Sequence, residues 1–226
     1  MRAGNDSRKV RSSQAGIHPR LDGLLRRYRE SEWSQPLHSP SCRAFEALGP
    51  LVEAAHRPLV LDAGCGTGQS TRRLAERFPD HLVIGVDKSG DRLGKLPARQ
   101  FPWCEKNAVW LRADLTTFWR LARRAGWTVD RHFLLYPNPW PKPGQLQRRW
   151  HAHPVFPELL ALGGELEMRC NWKIYADEFA FAVSRFLGRP IEAASLAVDE
   201  PLSPFERKYR DSGHDLYSVV SRSSGV

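Results

Sequence analysis

The feature that most constrains the fold is a short apolar run that leads directly into a glycine-rich turn. Leu59-Val60-Leu61 is followed by Asp62-Ala63-Gly64-Cys65-Gly66-Thr67-Gly68, and residues 70–78 then have a helical pattern that Pro79 ends. Glycines let the chain turn tightly at the end of a strand and bring its backbone close to a ligand. A strand, a glycine turn and a helix in this order are typical of nucleotide-binding sheets.

The rest of the chain alternates between short apolar runs and amphipathic segments. Helices are predicted at residues 42–56, 116–125, 174–186 and, in part, 148–162. Strands are predicted at residues 82–86, 109–111, 132–136 and 165–169, and two β-like runs follow near residues 191–197 and 215–221. This alternation predicts an α/β fold with a Rossmann-like, doubly wound, mostly parallel sheet.

Acidic residues stand at the ends of three successive predicted strands, at Asp62, Asp87 and, after Ala113, Asp114. The spacing of Gly64, Gly66 and Gly68 differs from the GxGxxG pattern that holds a pyrophosphate. S-adenosyl-L-methionine has a sulfonium, an amino acid and a ribose but no phosphate, so carboxylates suit it. We therefore predict that Asp62 holds the cationic part of this cofactor, Asp87 the ribose hydroxyls and Asp114 the adenine amino group. A dehydrogenase-type nucleotide fold or a purely structural turn is the alternative.

The net charge of the chain is +9, and much of the excess lies at the amino-terminal end. Residues 1–31 contain eight Arg or Lys residues and three acidic ones. Residues 1–35 lack sustained periodicity, which predicts a flexible basic arm with one candidate helix at residues 21–29. The domain is predicted to span residues 36–226. Such an arm suits a polyanion, above all nucleic acid. The alternative is a disordered tail that binds nothing specific.

The cysteines, Cys42, Cys65, Cys104 and Cys170, form no CxxC pair, which is typical of reduced thiols in a cytoplasmic protein. His151-x-His153 lacks the further ligands of a metal site. No apolar run approaches the roughly 18 residues of a membrane helix, and residues 1–18 contain no apolar secretory segment. We therefore expect a cytoplasmic protein without a metal and without a membrane partner.

Tyr136-Pro137-Asn138-Pro139-Trp140-Pro141-Lys142 follows the fourth predicted strand, where this fold places its chemistry. This segment resembles the FPDPWPK signature of the tRNA (guanine-N7)-methyltransferase family. Gln147-Arg148-Arg149, Cys170-Asn171-Trp172-Lys173-Ile174-Tyr175 and Ser203-Pro204-Phe205-Glu206 resemble that family's KRR, TDWxxY and TxFE motifs. The motifs occur in the family's order, and the resemblance implies the seven-stranded sheet of the class I methyltransferases.

The resemblance implies methyl transfer from S-adenosyl-L-methionine to N7 of a guanine in the variable loop of tRNA. Guanine N7 has a free lone pair, so the enzyme needs no general base and has to align N7 with the methyl group. Asn138 is implied as the catalytic residue and as a further cofactor contact. Substrate contacts are implied for Lys142, Asn171, Ser203, Phe205 and Glu206.

The partner implied by the resemblance is tRNA or another RNA, and the chain is expected to be a monomer, with a complex with a partner subunit as the alternative. Lys142, Arg148 and Arg149 are expected to contact RNA phosphates. Trp140 is expected either to stack on a base or to close the pocket, with a place in the core as the alternative.

Three departures from the family pattern fall together. Asn138 and Asn171 replace two Asp residues, and Gly144-Gln145 replaces an Arg-His pair. A carboxylate matches the two adjacent donors of guanine, whereas an amide suits the donor and acceptor of adenine. We hypothesise that the substrate differs from that of the typical member or that turnover is weak, unless both Asn residues only maintain turns. Two further hypotheses are a methyltransferase for exocyclic amines or side-chain amides, using Asn138-Pro139-Trp140, and a non-catalytic cofactor- or RNA-binding paralogue.

Overall fold

The computed structural model describes residues 7–223, and eight strands within them form one sheet. The strands are β1 (Leu59–Ala63), β2 (Leu82–Asp87), β3 (Trp103–Glu105), β4 (Ala108–Arg112), β5 (Arg131–Leu135), β6 (Gly164–Cys170), β7 (Ala193–Ser195) and β8 (Tyr217–Ser223). Their order across the sheet is β3-β4-β2-β1-β5-β6-β8-β7. The central five, from β4 to β6, are parallel, whereas β3 and β8 run antiparallel to their neighbours.

The direction of winding reverses at β1. From β1 the chain proceeds to β2 and β4 on one side, and it then returns to β5 and β6 on the other side. Asp62 on β1 lies opposite Gly85 on β2 and opposite Phe133 on β5. Ligands of open α/β sheets bind outside the carboxyl ends of the strands at such a switch point, so Asp62 lies where a ligand is expected.

Helices cover both faces of the sheet. They are α1 (Leu21–Glu30), α2 (Ser39–Ala55), α3 (Gln69–Arg77), α4 (Gly90–Leu93), α5 (Leu115–Arg124), α6 (Phe156–Ala161), α7 (Lys173–Leu187) and α8 (Pro204–Asp211). Side chains of β1 alternate between two apolar cores: Leu59 and Leu61 enter one, and Val60 enters the other with Leu74 of α3. The two cores confirm the doubly wound α/β fold.

The sheet has one strand more than the seven that the family resemblance implies. The additional strand is β3 at the edge, where Trp103 pairs with Trp110 of β4 and the two ring centroids are 4.8 Å apart. A strand of three residues is too short to show alternation in the sequence. Helix α8 was not predicted either, because only Glu206 of its eight residues is buried.

The candidate helix at residues 21–29 is confirmed as α1, but this helix is packed on the domain and is not part of a flexible arm. Leu21, Leu24, Leu25 and Tyr28 are buried in the larger core, and α1 packs against α7. These positions follow the helical spacing i, i+3, i+4 and i+7, so an apolar stripe was present among the basic residues. Residues 1–6 of the arm lie outside the described residues.

Over residues 7–223, no helix is long and apolar enough to cross a membrane.

Candidate functional site

Asp62 is buried at the carboxyl end of β1, with 1% of its surface exposed. Its Oδ2 accepts hydrogen bonds from Ser70 Oγ at 2.6 Å and Thr71 Oγ1 at 2.7 Å, whereas its Oδ1 is buried without a partner among the described residues. Burial raises the pKa of Asp62 to about 6, although the two hydroxyl donors act in the opposite direction. A buried acceptor without a donor is costly, so the arrangement points to a ligand that supplies one.

The glycine loop combines tight packing on one side with open space on the other. Gly64, Gly66 and Gly68 have φ angles of 84°, 58° and 78°, which favour glycine. A Cβ at Gly68 would lie 2.4 Å from Trp110 Nε1, which donates to the Gly68 carbonyl at 3.1 Å. A Cβ at Gly64 or Gly66 would meet nothing within 4 Å. The loop therefore leaves room for a ligand beside Gly64 and Gly66.

Asp87 connects the glycine loop to the end of β2. Its Oδ2 accepts from the Gly66 amide at 2.9 Å, and its Oδ1 accepts from the Ser89 amide at 2.8 Å. Ala113 is buried after β4, and its amide donates to the Asp87 carbonyl at 3.1 Å. The predicted cofactor residues of β1, β2 and β4 are therefore neighbours at one edge of the sheet.

Asp114 caps the helix that follows it, a structural role that was not predicted from the sequence. Its Oδ1 caps α5 by accepting from the amides of Thr116 at 3.0 Å and Thr117 at 3.3 Å. Such caps typically stabilise a helix by about 1 kcal/mol. Asp114 is only half-buried, so the cap does not enclose the residue. The site therefore combines an unpartnered carboxylate oxygen of Asp62 with open space beside the glycine backbone. These groups fit a cationic ligand that carries hydroxyl groups.

The loop after β5 begins and ends at residues with strained backbone. Tyr136 has φ 52° and Trp140 has φ 46°, both in the left-handed region although neither residue is glycine. Such conformations cost of order 1–3 kcal/mol each and persist where the surroundings impose them, often at functional sites. Between them, Asn138 is exposed, and its side chain has no hydrogen bond to the residues that the structure describes. The amide of Asn138 is therefore available to a ligand.

Lys142 and Arg148 lie on the exposed side of this loop. Lys142 is exposed just before a 3₁₀ helix at Pro143–Arg148. The guanidinium of Arg148 lies over the ring of half-buried Trp140, 4.8 Å from its centroid. Both cations are exposed, so an anionic ligand could reach them, and their contact with RNA phosphates stays a prediction.

Asn171, immediately after β6, is oriented by a histidine. The Nδ2 atom of Asn171 is 3.0 Å from His214 Nδ1, and His214 Nε2 is 2.7 Å from the Ser7 carbonyl oxygen. Because a carbonyl only accepts, Nε2 of the neutral ring has the proton, and Nδ1 accepts from Asn171. Asn171 Oδ1 has no hydrogen-bond partner within residues 7–223, so this oxygen is free to accept a hydrogen bond from a ligand.

Glu206 is buried and is not placed for the substrate contact that the motif resemblance implies. Its side chain is 0% exposed. Its Oε1 accepts hydrogen bonds from Tyr136 Oη at 2.9 Å and from Arg169 Nη1 at 3.1 Å. Its Oε2 accepts a hydrogen bond from the Leu202 amide at 2.6 Å. Burial and the charge of Glu206 raise the pKa of Tyr136, which keeps this phenol a donor. Since three donors occupy its carboxylate, Glu206 fixes Tyr136 at the start of the loop and does not face a substrate.

The other two residues of this motif have different surroundings. Ser203 is buried, and its Oγ caps α8 by accepting from the Glu206 amide at 3.1 Å. Phe205 is 45% exposed and stacks on Tyr209, with ring centroids 6.1 Å apart. Of the predicted substrate residues in this motif, Phe205 is the one with a free surface.

Arg149 is buried and cannot reach an RNA phosphate, which corrects the prediction for this residue. Its Nη1 is 2.5 Å from Glu178 Oε2, and neither side chain is exposed. Nothing in the sequence singles out Glu178 as its partner, because the two residues lie 29 positions apart. Within the described residues, no group of three or more His, Cys, Asp or Glu side chains could hold a metal ion.

A family model described as "Putative methyltransferase" matches residues 56–219, which include the glycine loop, the loop after β5 and Asn171. The chain belongs to this methyltransferase family. Among its relatives, the tRNA (guanine-N(7)-)-methyltransferase of Leifsonia xyli subsp. xyli is 28% identical over 180 residues, covering 73% of this chain and 76% of that protein.

Solved structures confirm the fold of this methyltransferase. The 16S rRNA methyltransferase KamB is 18% identical with a TM-score of 0.57, covering 84% of this chain and 95% of that chain. A mutant of a 16S rRNA (adenine(1408)-N(1))-methyltransferase from Catenulisporales acidiphilia was solved with its cosubstrate SAM. It is 17% identical with a TM-score of 0.51, and the match covers 77% of this chain and 89% of that chain. The methyltransferase therefore has a fold that it shares with these two enzymes, with its acidic residues at the carboxyl edge of the sheet.

Proposed function

We propose that this methyltransferase transfers the methyl group of S-adenosyl-L-methionine to N7 of a guanine in tRNA. The observation that carries the proposal is the similarity to a relative named tRNA (guanine-N(7)-)-methyltransferase over 73% of this chain. The family match spans both loops that follow β5 and β6. The likeness therefore includes the segments that would face the acceptor as well as the glycine loop.

S-adenosyl-L-methionine would supply a methyl group activated by a positively charged sulfur. Asp62 would hold the cationic part of the cofactor through its unpartnered Oδ1. Asp87 would face the ribose hydroxyls, and Asp114 the adenine amino group. The solved relative that contains SAM supports this choice of cofactor.

The reaction that we propose needs no general base. The lone pair of guanine N7 forms a bond to the methyl carbon, the carbon–sulfur bond breaks, and its electron pair stays on sulfur. No proton leaves N7, which agrees with a neutral amide at Asn138 in place of a titratable group. The task of the chain is then to orient the base, with Asn138 contacting it, and positioning of this kind can contribute several orders of magnitude in rate.

A second candidate acceptor is the adenine base. The observation that favours it is the amide of Asn138, which has no hydrogen bond to other described residues and matches the paired donor and acceptor of adenine. The hypothesis of a divergent substrate therefore stays open. A non-catalytic paralogue is disfavoured by the intact glycine loop and by the unpartnered oxygen of Asp62.

Methylation of an unmodified tRNA transcript, followed by nucleoside analysis, tests these proposals. Abundant 7-methylguanosine would support the first proposal and contradict the divergent substrate. A methylated adenosine would support the second candidate. Calorimetric binding of S-adenosyl-L-methionine without any methylated nucleoside would instead favour the paralogue.

Replacing Lys142 by Gln should weaken tRNA binding several-fold and leave kcat nearly unchanged. Lys142 is exposed beside the loop and is expected to contact a phosphate, so the slope of log affinity against log salt should fall by about one. Filter binding over a range of salt concentrations measures this slope. Lys106→Gln is the matched control, because exposed Lys106 lies in the turn before β4, at the opposite edge of the sheet. An equal loss in both variants would contradict the role of Lys142.

A further inference from the structure

The buried guanidinium of Arg149 holds the strained end of the loop after β5. Its Nε donates to the Trp140 carbonyl at 3.2 Å, and its Nη2 donates to the same oxygen at 3.1 Å. Trp140 is the residue with φ 46°. A fork of two donors on one carbonyl restrains the orientation of that peptide group, and only a guanidinium offers such a fork.

The same guanidinium also contacts the segment after β6. Its central carbon lies 4.9 Å from the centroid of the Trp172 ring, and Trp172 directly follows Asn171. Arg149 therefore lies between the loop that contains Asn138 and Lys142 and the segment that contains Asn171. A shift of Arg149 would move both groups of predicted substrate residues at once.

Glu178 of α7 fixes the position of Arg149. Its Oε2 accepts from Arg149 Nη1 at 2.5 Å and faces His151 Nε2 at 2.9 Å. Burial alone would raise the pKa of Glu178, but the hydrogen bond from His151 and the charge of Arg149 lower it to about 2. The carboxylate therefore stays ionised at any pH at which the enzyme works.

Residues 12–18 complete this buried unit from the amino-terminal side. Gln14 donates from Nε2 to Glu178 Oε1 at 2.6 Å and accepts from Arg149 Nη2 at 3.1 Å. The His18 amide donates to the same Glu178 oxygen at 3.0 Å. Ser12 Oγ donates to the Pro141 carbonyl at 2.5 Å, one residue beyond Trp140. The segment thus covers the ion pair and also contacts the loop that the pair holds.

We propose that Arg149 and Glu178 are positioning residues for methyl transfer, which set the relative placement of the loop after β5 and the segment after β6. The proposal rests on the proposed function for its reaction. A buried ion pair is weak evidence for stability, because apolar residues of the same volume often stabilise a fold equally well. What apolar residues cannot replace is the set of directed bonds to the Trp140 carbonyl, to Glu178 and to Gln14. The pair therefore acts on geometry at the site.

Arg149→Lys tests the proposal because it keeps the charge opposite Glu178 and removes the fork. We expect kcat for tRNA methylation to fall roughly tenfold, since small misplacements of reacting groups have large effects on rate. Affinity for S-adenosyl-L-methionine should fall less than kcat, because Arg149 has no hydrogen bond to Asp62, Asp87 or Asp114 within residues 7–223 and acts on the loop that contains Asn138. Backbone amides of residues 138–148 should exchange with deuterium faster than in the wild type.

Two further variants keep the result interpretable. Gln14→Ala removes a neutral partner of both Arg149 and Glu178 and leaves their ion pair intact. We therefore expect a smaller fall in kcat and a smaller increase in amide exchange than in Arg149→Lys. Arg131→Lys is the matched control, since Arg131 also pairs with a glutamate, Glu165, across β5 and β6 but lies at the amino ends of these strands. We expect it to leave kcat and exchange in residues 138–148 unchanged.

The outcomes separate this proposal from the proposed function. Wild-type exchange and wild-type kcat in Arg149→Lys would overturn the positioning role, and so would equal changes in Arg131→Lys. If the wild-type protein forms no 7-methylguanosine, the proposed function fails. In that case faster exchange in Arg149→Lys still supports positioning of the two loops, whereas unchanged exchange overturns it.

Discussion

Asp62→Asn is expected to weaken binding of S-adenosyl-L-methionine by about 10- to 100-fold. The substitution keeps the shape of the side chain but removes the charge that we assign to the cationic part of the cofactor. Hydrogen bonds to a charged group contribute about 1.5–3 kcal/mol, and each 1.4 kcal/mol is about tenfold in affinity. Titration calorimetry measures this change directly. Asp80→Asn is the matched control, because Asp80 is exposed in the turn before β2, at the edge of the sheet away from the site.

The pH dependence of the same binding supplies an independent check. The pKa of Asp62 is raised to about 6, so the carboxyl becomes neutral below this pH. A cationic ligand binds the ionised form, so affinity should fall as pH decreases below about 6, by up to about tenfold per pH unit. Asp62→Asn should show no such dependence.

The stability of the ligand-free protein should change with pH in the opposite direction to the cofactor affinity. An acid with a raised pKa in the folded state is favoured there when protonated, so ionisation of Asp62 destabilises the fold as pH rises from about 4 to about 6. Asp62→Asn is therefore expected to raise the free energy of unfolding above pH 6, while it weakens the cofactor. Unchanged affinity and an unchanged pH profile would contradict the assignment of Asp62.

Asn138→Ala is expected to lower kcat for methyl transfer about 100-fold, since misplacing a reacting group by about 1 Å can cost this much. Asn138 is exposed in the middle of the loop after β5 and is free of hydrogen bonds to other described residues, so its removal should not disturb the fold. Single-turnover kinetics with labelled S-adenosyl-L-methionine measure the rate of the chemical step. Thermal unfolding checks that the variant remains folded.

Asn138→Asp distinguishes the acceptor. A carboxylate matches two adjacent donors of guanine, so this variant should methylate guanine at least as fast as the wild type. If adenine is the natural acceptor, the same variant should instead be slower. Wild-type kcat in Asn138→Ala would contradict the role of Asn138 for either base.

The strands around the cofactor site were predictable from the sequence because they are buried on both faces. Such strands read as continuous apolar runs, as in Leu59-Val60-Leu61, and each ends at a residue whose polarity contrasts with the run. Asp62 and Asp87 were therefore assigned to strand ends, where the structure places them. Asp114 follows β4 in the same way. It also caps α5, which was not predicted although Asp114 directly precedes a predicted helix.

The buried charges were not predictable in the same way. Arg149, Glu178 and Glu206 are all completely buried, although Arg and Glu are almost never buried unless they are paired. Their partners are distant in the chain: Gln14 lies 135 residues from Arg149, and Tyr136 lies 70 residues from Glu206. Motif similarity could therefore indicate that Arg149 and Glu206 matter, but it assigned both of them to RNA or substrate contacts.

The packing of the amino-terminal helix shows a different kind of error. The helix was predicted at residues 21–29, but its basic composition obscured the apolar stripe of Leu21, Leu24, Leu25 and Tyr28 that packs it on the domain. Composition describes the average character of a segment, whereas packing depends on the few positions that share a face. Arg26 and Arg27 remain exposed on the other side of the same helix.

The position of β8 has a consequence for synthesis of the chain. β8 is the last strand of residues 7–223 in chain order, yet it lies between β6 and β7 and is hydrogen-bonded to both. Until residues 217–223 leave the ribosome, the hydrogen-bonding edge of β6 has no partner and β7 cannot join the sheet. Unpaired edges of this kind favour association with other chains, so the nascent protein is most exposed to aggregation just before its last strand is made.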